Sequence, residues 1–179
     1  MRLYLVRHPQ PEAPPGICYG STDLPAIESG IAAALDALTL HGLRELPIFS
    51  SPLQRCADLA RRLSPTPVFD TRLAEMDFGA WEMRSWDDIP RAEVDAWSAD
   101  LLHYRPGGGE SVLDVAERVA DFLHALRAAG PEQTLLICHA GTIRLLASLH
   151  QGGGLEEAAL RAAQAAHRIA YGELIVLKD

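Results

Sequence analysis

The chain has 179 residues, 48% of them hydrophobic, and a mean hydropathy of +0.01. This composition excludes an intrinsically disordered protein, and the length predicts a single domain over residues 1–179 with a sizeable core. Lys and Arg number 16 against 24 Asp and Glu, so the formal net charge is −8. With that charge and no basic stripe, nucleic acid is not an expected partner.

Cysteine content and the N-terminus both favour the cytoplasm. The three cysteines, Cys18, Cys56 and Cys138, have no metal-ligand spacing, and their odd number argues against a disulfide framework, so we expect free thiols. Residues 1–8 lack the apolar core and cleavage site of a secretory signal, and no window reaches the ~18 consecutive apolar residues of a membrane helix. We therefore expect a cytoplasmic protein that does not associate with membranes.

Short apolar runs alternate with amphipathic segments along the chain. The first half predicts a strand over 2–6, a helix from Pro25 to about Leu38, a strand over 47–50, a helix to about Leu63 with Ser51 as N-cap and Pro52 in its first turn, and a strand over 67–69. The second half predicts a helix within 90–103, a helix from Val112 to a stop at Gly130, a strand over 134–138, helices over 142–150 and 155–166, and a strand over 173–177. This alternation predicts an α/β fold, a three-layer α/β/α sandwich with a mostly parallel central sheet and helices on both faces.

Two of the predicted strands end in a histidine. Residues 2–6 lead into Arg7 and His8, and residues 134–138 lead into His139. Ligands of parallel α/β sheets bind beyond the carboxyl ends of the strands. The two histidines are therefore candidates for one site.

These residue types suit phosphoryl transfer without a metal ion. Such a site needs a nucleophile, positive donors around the phosphoryl oxygens and a proton donor for the leaving oxygen. His8 can be the nucleophile, with Arg7 beside it and Arg55 one turn into a helix that follows a strand. A unit charge pair at about 4 Å is worth roughly 4 kcal/mol at an effective dielectric of 20, so two arginines could replace much of what a metal supplies. The same cations would keep the attacking nitrogen of His8 unprotonated.

Four segments together resemble the histidine phosphatase (phosphoglycerate mutase-like) superfamily. They are Leu5-Val6-Arg7-His8-Pro9, Ser50-Ser51-Pro52-Leu53-Gln54-Arg55, Leu73-Ala74-Glu75-Met76-Asp77-Phe78-Gly79-Ala80-Trp81-Glu82 and Cys138-His139-Ala140-Gly141-Thr142-Ile143-Arg144. The segments occur in the order typical of that superfamily and span residues 5–144. The resemblance implies the phosphoglycerate mutase-like form of the α/β sandwich and a phosphoric monoester hydrolase.

The resemblance also implies a role for each matched residue. His8 attacks phosphorus in line and becomes phosphorylated, while Arg7, Arg55 and His139 hold the phosphoryl oxygens. Glu75 protonates the leaving oxygen and then, as a carboxylate, activates the hydrolytic water. No metal or organic cofactor is implied, and the expected partner is a small phosphorylated metabolite.

The identity of the acid stays open at this stage, since Asp77 and Glu82 lie close to Glu75 in the sequence and could be the proton donor instead. Pro9 stands where the family more often has glycine, so one backbone N–H that could bind phosphate is missing.

The segment Gly16-Ile17-Cys18-Tyr19-Gly20-Ser21-Thr22-Asp23-Leu24-Pro25 resembles the α-ribazole phosphatases of cobalamin synthesis. Tyr19, Gly20 and Ser21 are therefore candidate substrate contacts, although loop geometry alone would also account for them. Other functions remain possible: a broad-specificity phosphatase, a phosphoglycerate mutase-type isomerase, or a non-catalytic module that binds phospho-ligands.

Several further side chains are expected to be structural. The five other histidines are interpreted as surface residues, the three tryptophans as packing, Arg144 as a brace for its own helix and Cys138 as an inert buried thiol.

Overall fold

The computed structural model describes residues 1–166 and 168–178. It contains one five-stranded sheet, whose strands are β1 (Arg2–Arg7), β2 (Ile48–Ser50), β3 (Val68–Phe69), β4 (Gln133–Cys138) and β5 (Leu174–Lys178). The strands lie in the order β3-β2-β4-β1-β5. The first four are parallel and β5 pairs antiparallel with β1, which confirms the predicted, mostly parallel sheet.

Six helices are present in the described part of the chain, and every predicted helix has a counterpart among them. They are α1 (Glu28–Leu40), α2 (Gln54–Leu63), α3 (Arg91–Ala99), α4 (Val112–Ala129), α5 (Ala140–His150) and α6 (Leu155–Gln164). Within these residues no helix combines the length and apolarity needed to cross a bilayer.

Side chains of the central strands alternate between two apolar clusters, one on each face of the sheet. On β1, Leu5 belongs to the cluster with α4, α5 and α6, whereas the next residue, Val6, belongs to the cluster with α1 and α2. Leu136 and Ile137 alternate in the same way on β4. Burial on both faces explains why the sequences of these strands are continuous apolar runs. The predicted three layers are confirmed.

Helix ends follow the sequence signals at α4 and depart from them at α1 and α2. The Ser111 side chain accepts from the Asp114 N–H at 3.1 Å while Asp114 accepts from the Ser111 N–H at 2.7 Å, and Gly130 ends the helix at φ 74°.

The prediction of Ser51 as an N-cap is wrong, because α2 begins only at Gln54 with Leu53 in the cap position. The Ser51 N–H donates to the Ile137 carbonyl at 2.9 Å, so Ser51 continues the pairing of β2 with β4. Pro25 likewise precedes α1, since the adjoining Ala26 forms an antiparallel bridge with Pro11.

The interpretation of the remaining histidines as surface residues is confirmed for His41, His103 and His124, which are exposed. His150 is half-buried at the end of α5, with its Nε2 3.1 Å from the Lys178 carbonyl. His167 lies outside the described residues.

Candidate active site

His8 follows β1 directly and is almost fully buried, with 2% of its surface exposed. Its backbone N–H donates to the Cys138 carbonyl at 2.9 Å, which extends the pairing of β1 with β4 by one residue. In the side chain, Nδ1 lies 2.7 Å from the Pro9 carbonyl oxygen. Because a carbonyl can only accept, Nδ1 carries the proton and Nε2 keeps a free lone pair. The imidazole is therefore held in the tautomer that a nucleophilic Nε2 requires.

His139 follows β4 and lies beside His8. The two ring centroids are 5.1 Å apart, because the last residues of their strands, Arg7 and Cys138, are paired in register. The His139 Nε2 lies 2.8 Å from the Ser51 hydroxyl. Its Nδ1 is buried and has no hydrogen-bond partner among residues 1–166 and 168–178. One imidazole nitrogen of His139 is thus free to meet a ligand.

Burial and neighbouring cations keep both imidazoles neutral. The pKa of His8 is held well below its usual value chiefly by burial and by the positive charge of Arg55, with a smaller contribution from Arg7, while the bond to Pro9 opposes the shift. Burial is also the main reason that the pKa of His139 lies well below its usual value. Both rings are therefore uncharged near neutral pH.

Two guanidinium groups lie close to the histidine pair, and each also lies over a tyrosine ring. The Arg7 Cζ is 3.9 Å from the centre of the Tyr171 ring, and Arg7 Nη1 donates to the Ile169 carbonyl at 2.5 Å. The Arg55 Cζ is 5.2 Å from the Tyr19 ring. Between them, the Tyr19 and Tyr171 hydroxyls are 3.1 Å apart. Burial is the main reason that the pKa of Tyr19 is raised, so its hydroxyl stays protonated near neutral pH.

Both arginines keep part of their hydrogen-bonding capacity unused. Arg55 donates to the carbonyls of Thr22 at 2.8 Å and Gly20 at 2.6 Å. The Nε of Arg55 and the Nε of Arg7 are buried without a partner among the described residues. Buried charged donors without acceptors are costly, and a phosphoryl oxygen is an acceptor that would satisfy them.

Of the three candidate acids, Glu75 is the one that lines the same cavity as His8. Its carboxylate accepts from the Gly141 N–H at 3.2 Å and from the Met76 N–H at 3.1 Å. Asp77 instead accepts from the Gly79 N–H at 2.7 Å, and it does not line the cavity.

Glu82 is fully engaged elsewhere. It accepts from the backbone N–H and the hydroxyl of Ser21 at 2.8 and 3.0 Å, from the Thr22 hydroxyl, and from the Phe78 N–H at 3.0 Å. This network holds the 20–22 loop against the 78–82 segment. Ser21 therefore faces Glu82 and does not line the cavity, whereas Tyr19 and Gly20 do.

The cavity has a volume of about 660 Å³. Among the described residues that line it, four carry a carboxyl, guanidinium or imidazole group: Arg7, His8, Glu75 and Arg144. Arg55 and His139 do not line the cavity, and both are completely buried. Arg144 also donates to the Ala165 carbonyl at 3.0 Å, so it links α5 to the end of α6.

Comparison with known proteins identifies the family. A sequence model of the histidine phosphatase superfamily (branch 1) matches residues 3–171. The chain belongs to this superfamily.

Similar proteins give the enzyme class. The phosphatase is 36% identical over 160 residues to the adenosylcobalamin/alpha-ribazole phosphatase of Salmonella typhimurium, covering 82% of this chain and 77% of that protein. It is 34% identical over 161 residues to the glucosyl-3-phosphoglycerate phosphatase of Mycolicibacterium vanbaalenii, covering 81% and 72%. The crystal structure of the alpha-ribazole phosphatase from Shigella flexneri superposes with a TM-score of 0.81 at 28% identity, over 99% of this chain and 90% of that one. The predicted phosphoglycerate mutase-like fold and phosphoric monoester hydrolase class are confirmed.

No group of three or more His, Cys, Asp or Glu side chains in residues 1–166 and 168–178 is arranged to hold a metal ion. The absence of a cofactor stays a prediction. Cys138 is fully buried as a free thiol, and burial holds its pKa well above the usual value.

Gly141 has to lack a side chain for Glu75 to keep its position. A Cβ added at Gly141 would lie 2.4 Å from the Glu75 Oε1, closer than non-bonded atoms approach. We expect Gly141→Ala to displace the carboxylate and to lower kcat for an alkyl phosphate at least about 10-fold, since proton donation depends on geometry. Steady-state kinetics on glycerol 2-phosphate measure this loss. Gly154→Ala is the matched control, because a Cβ there meets no atom within 4 Å; an equal loss in both variants would contradict the assignment of Glu75.

The lowered histidine pKa values predict that the phosphatase loses stability in mild acid. In the unfolded chain both imidazoles regain a pKa of about 6.5, so below that pH the unfolded state binds more protons than the folded state. At pH 5.5 each histidine should lower the free energy of unfolding by up to about 1.4 kcal/mol relative to neutral pH. Urea unfolding at pH 7.5 and 5.5 measures the difference.

His139→Asn should reduce the decrease in the free energy of unfolding between pH 7.5 and 5.5 by the contribution of one histidine. His124→Asn, which changes an exposed histidine on α4, should leave it unchanged. An unaltered pH dependence in His139→Asn would show that the buried ring is already protonated in the folded protein.

Proposed function

We propose that the protein removes the 5′-phosphate from α-ribazole phosphate through a phosphohistidine formed on His8. The observation that carries the mechanism is the His8 side chain itself: its Nδ1 is tied to the Pro9 carbonyl, its Nε2 is free, and it lines a cavity together with Glu75. The substrate is supported by the alpha-ribazole phosphatases among the relatives and by the loop over residues 16–25.

Phosphate binding would use the unpartnered donors around His8. Arg7 Nε, Arg55 Nε and His139 Nδ1 are all buried without partners in the described part of the chain. Three donors of this kind match three equatorial phosphoryl oxygens. Because they are buried, each guanidinium acts at a low effective dielectric, where its attraction for a phosphate is largest.

The reaction then proceeds in two balanced steps. In the first, His8 Nε2 forms a bond to phosphorus as the bond from phosphorus to the leaving oxygen breaks, and Glu75 gives its proton to that oxygen. In the second, Glu75 as a carboxylate takes a proton from water as the water oxygen bonds to phosphorus, and the bond to Nε2 breaks. Inorganic phosphate leaves, and both His8 and Glu75 return to their starting states.

Pro9 has no N–H to offer to phosphate, but its carbonyl has a role in the proposed mechanism. Its carbonyl fixes the tautomer of His8, and this contact needs no N–H from residue 9. Proline restricts φ and stiffens the backbone that carries this carbonyl. The departure from the usual glycine is therefore compatible with a nucleophilic His8.

A panel of phosphomonoesters tests the proposed function. It contains α-ribazole 5′-phosphate, glucosyl-3-phosphoglycerate, 3-phosphoglycerate and phosphoserine, each assayed for released phosphate with and without EDTA. We expect the highest kcat/KM on α-ribazole 5′-phosphate and no effect of EDTA. Similar rates on all four esters would favour a broad-specificity phosphatase. Conversion of 3-phosphoglycerate to its isomer without release of phosphate would favour a mutase. No turnover of any ester would favour a binding module.

A further inference from the structure

The catalytic cavity has an aromatic wall that the two-step reaction does not use. Phe78, Trp86 and Trp97 all line the cavity, and we refer to these three residues as the aromatic wall. Phe78 meets Trp86 edge to face with ring centroids 5.8 Å apart, and it meets Trp97 in the same manner at 5.9 Å. The wall is therefore one continuous aromatic surface in the same cavity as His8 and Glu75.

A buried tryptophan holds this wall from behind. Trp81 is 1% exposed and lies with its ring centroid 6.3 Å from that of Trp86 and 5.8 Å from that of Trp97. Its own Nε1 donates to the Glu93 carboxylate at 2.6 Å, so Trp81 is held by two ring contacts and by a hydrogen bond at its polar edge. A surface supported in this way is formed before any ligand arrives, which lowers the entropic cost of binding.

Two features of the wall distinguish it from ordinary packing. Trp86 is 40% exposed although it is a large apolar side chain. The Nε1 of Trp97 is buried and has no partner among the described residues, in contrast to the paired Nε1 of Trp81. Tryptophan N–H groups in protein interiors usually find an acceptor, so an unpaired one beside a cavity indicates that a ligand supplies it.

We propose that the aromatic wall is a subsite for a planar, uncharged aromatic ring carried by the leaving alcohol, and that Trp97 Nε1 donates to a nitrogen or oxygen acceptor on that ring. The proposal deepens the proposed function and rests on it, because the ring has to be attached to a phosphate held at His8. Charged leaving groups fit the wall poorly, since none of its three side chains carries a charge. The sequence interpretation of Trp86 and Trp97 as packing residues alone is thereby extended.

Two substrates with the same leaving group isolate the contribution of the ring. α-Ribazole 5′-phosphate and ribose 5-phosphate both leave through a primary 5′-alcohol, and only the first carries an aromatic base. Stacking of a base on an aromatic side chain is worth roughly 5- to 150-fold in affinity. We expect wild-type protein to prefer α-ribazole 5′-phosphate by roughly that factor in kcat/KM.

Substitutions in the wall should reduce this preference. Trp86→Ala and Trp97→Leu should each lower the ratio of the two kcat/KM values about 10-fold. The ratio is measured on one sample, so a general loss of folded enzyme cancels from it. Phe69→Ala, which removes a similarly exposed aromatic ring on the edge strand β3, should leave the ratio unchanged.

Trp97→Phe tests the proposed hydrogen bond separately, because it keeps the aromatic ring and removes the N–H. It should lower kcat/KM for α-ribazole 5′-phosphate several-fold more than for benzyl phosphate, whose ring has no acceptor atom. Equal losses on both esters would overturn the hydrogen bond to Trp97.

A wild-type ratio near one, or a ratio that Trp86→Ala and Trp97→Leu leave unchanged, would overturn the subsite. Failure of the proposed phosphohistidine mechanism is distinguishable, because neither ester would then be hydrolysed and no phosphohistidine would form. In that case, calorimetry with the dephosphorylated alcohol α-ribazole decides the subsite: binding that Trp97→Leu weakens about 10-fold supports it, and binding equal to that of ribose contradicts it.

Discussion

Replacing His8 with alanine should lower kcat on p-nitrophenyl phosphate by about 10⁴-fold or more, since the loss of a nucleophile abolishes the two-step route. The remaining site would still hold Arg7, Arg55 and His139, so binding of inorganic phosphate should survive. Steady-state kinetics with phosphate-binding calorimetry measure the two quantities on the same preparation. A large loss of turnover with retained phosphate binding is the expected combination.

His124→Ala is the matched control for this substitution, because it removes an exposed histidine on α4. It should keep full activity. Turnover by His8→Ala within about 10-fold of wild type would show that another group attacks phosphorus, and the roles assigned here to His139 and Glu75 would then fall as well.

Glu75→Gln should separate the two roles of this carboxyl group. An amide cannot donate a carboxylic proton, so formation of phosphohistidine from an alkyl phosphate should slow by roughly 10²- to 10⁴-fold. The same step with p-nitrophenyl phosphate should slow much less, because p-nitrophenolate leaves without needing a proton. Single-turnover measurements of enzyme-bound phosphate follow this step apart from the hydrolysis that comes after it.

Asp77→Asn provides the comparison, since Asp77 lies two residues away and accepts a backbone hydrogen bond outside the cavity. Its effect should be similar on both esters. If Glu75→Gln slowed both esters equally while Asp77→Asn discriminated between them, the proton donor would be Asp77.

The sequence was sufficient to predict that His8 and His139 lie close together. His8 and His139 each follow an apolar run, and parallel strands bring their carboxyl ends to one edge of a sheet. The structure adds that β1 and β4 are direct neighbours paired in register from Arg2↔Gln133 to Arg7↔Cys138. Two residues 131 positions apart (139 − 8) in the chain consequently lie side by side.

Tyr171 could not be predicted in the same way. It lies in the turn before β5, the antiparallel strand, and no motif or periodicity in that part of the sequence points to it. Its contacts with Arg7 and Tyr19 arise only when the end of the chain returns to pair with β1. That Trp86 and Trp97 line the cavity could likewise not be predicted, because composition does not show which face of an aromatic cluster is left exposed to a cavity.

Local sequence signals gave a wrong prediction where hydrogen bonds between distant segments determine the backbone conformation. Ser51 followed by Pro52 has the composition of a helix start, yet Ser51 is hydrogen-bonded to Ile137 of β4 and the helix begins only at Gln54. Its hydroxyl contacts His139 instead, at 2.8 Å. A residue that has the sequence context of a helix cap therefore contacts His139 in the candidate site.

Identification of the phosphorylated nitrogen is the most direct test of the proposed mechanism. Protein incubated with labelled substrate, quenched in alkali and digested can be examined by mass spectrometry for the residue and by phosphorus NMR for the nitrogen. Because Nδ1 of His8 is hydrogen-bonded to the Pro9 carbonyl, the label should appear on His8 at Nε2. A label on Nδ1 of His8, on His139, or on neither histidine during turnover would contradict the mechanism.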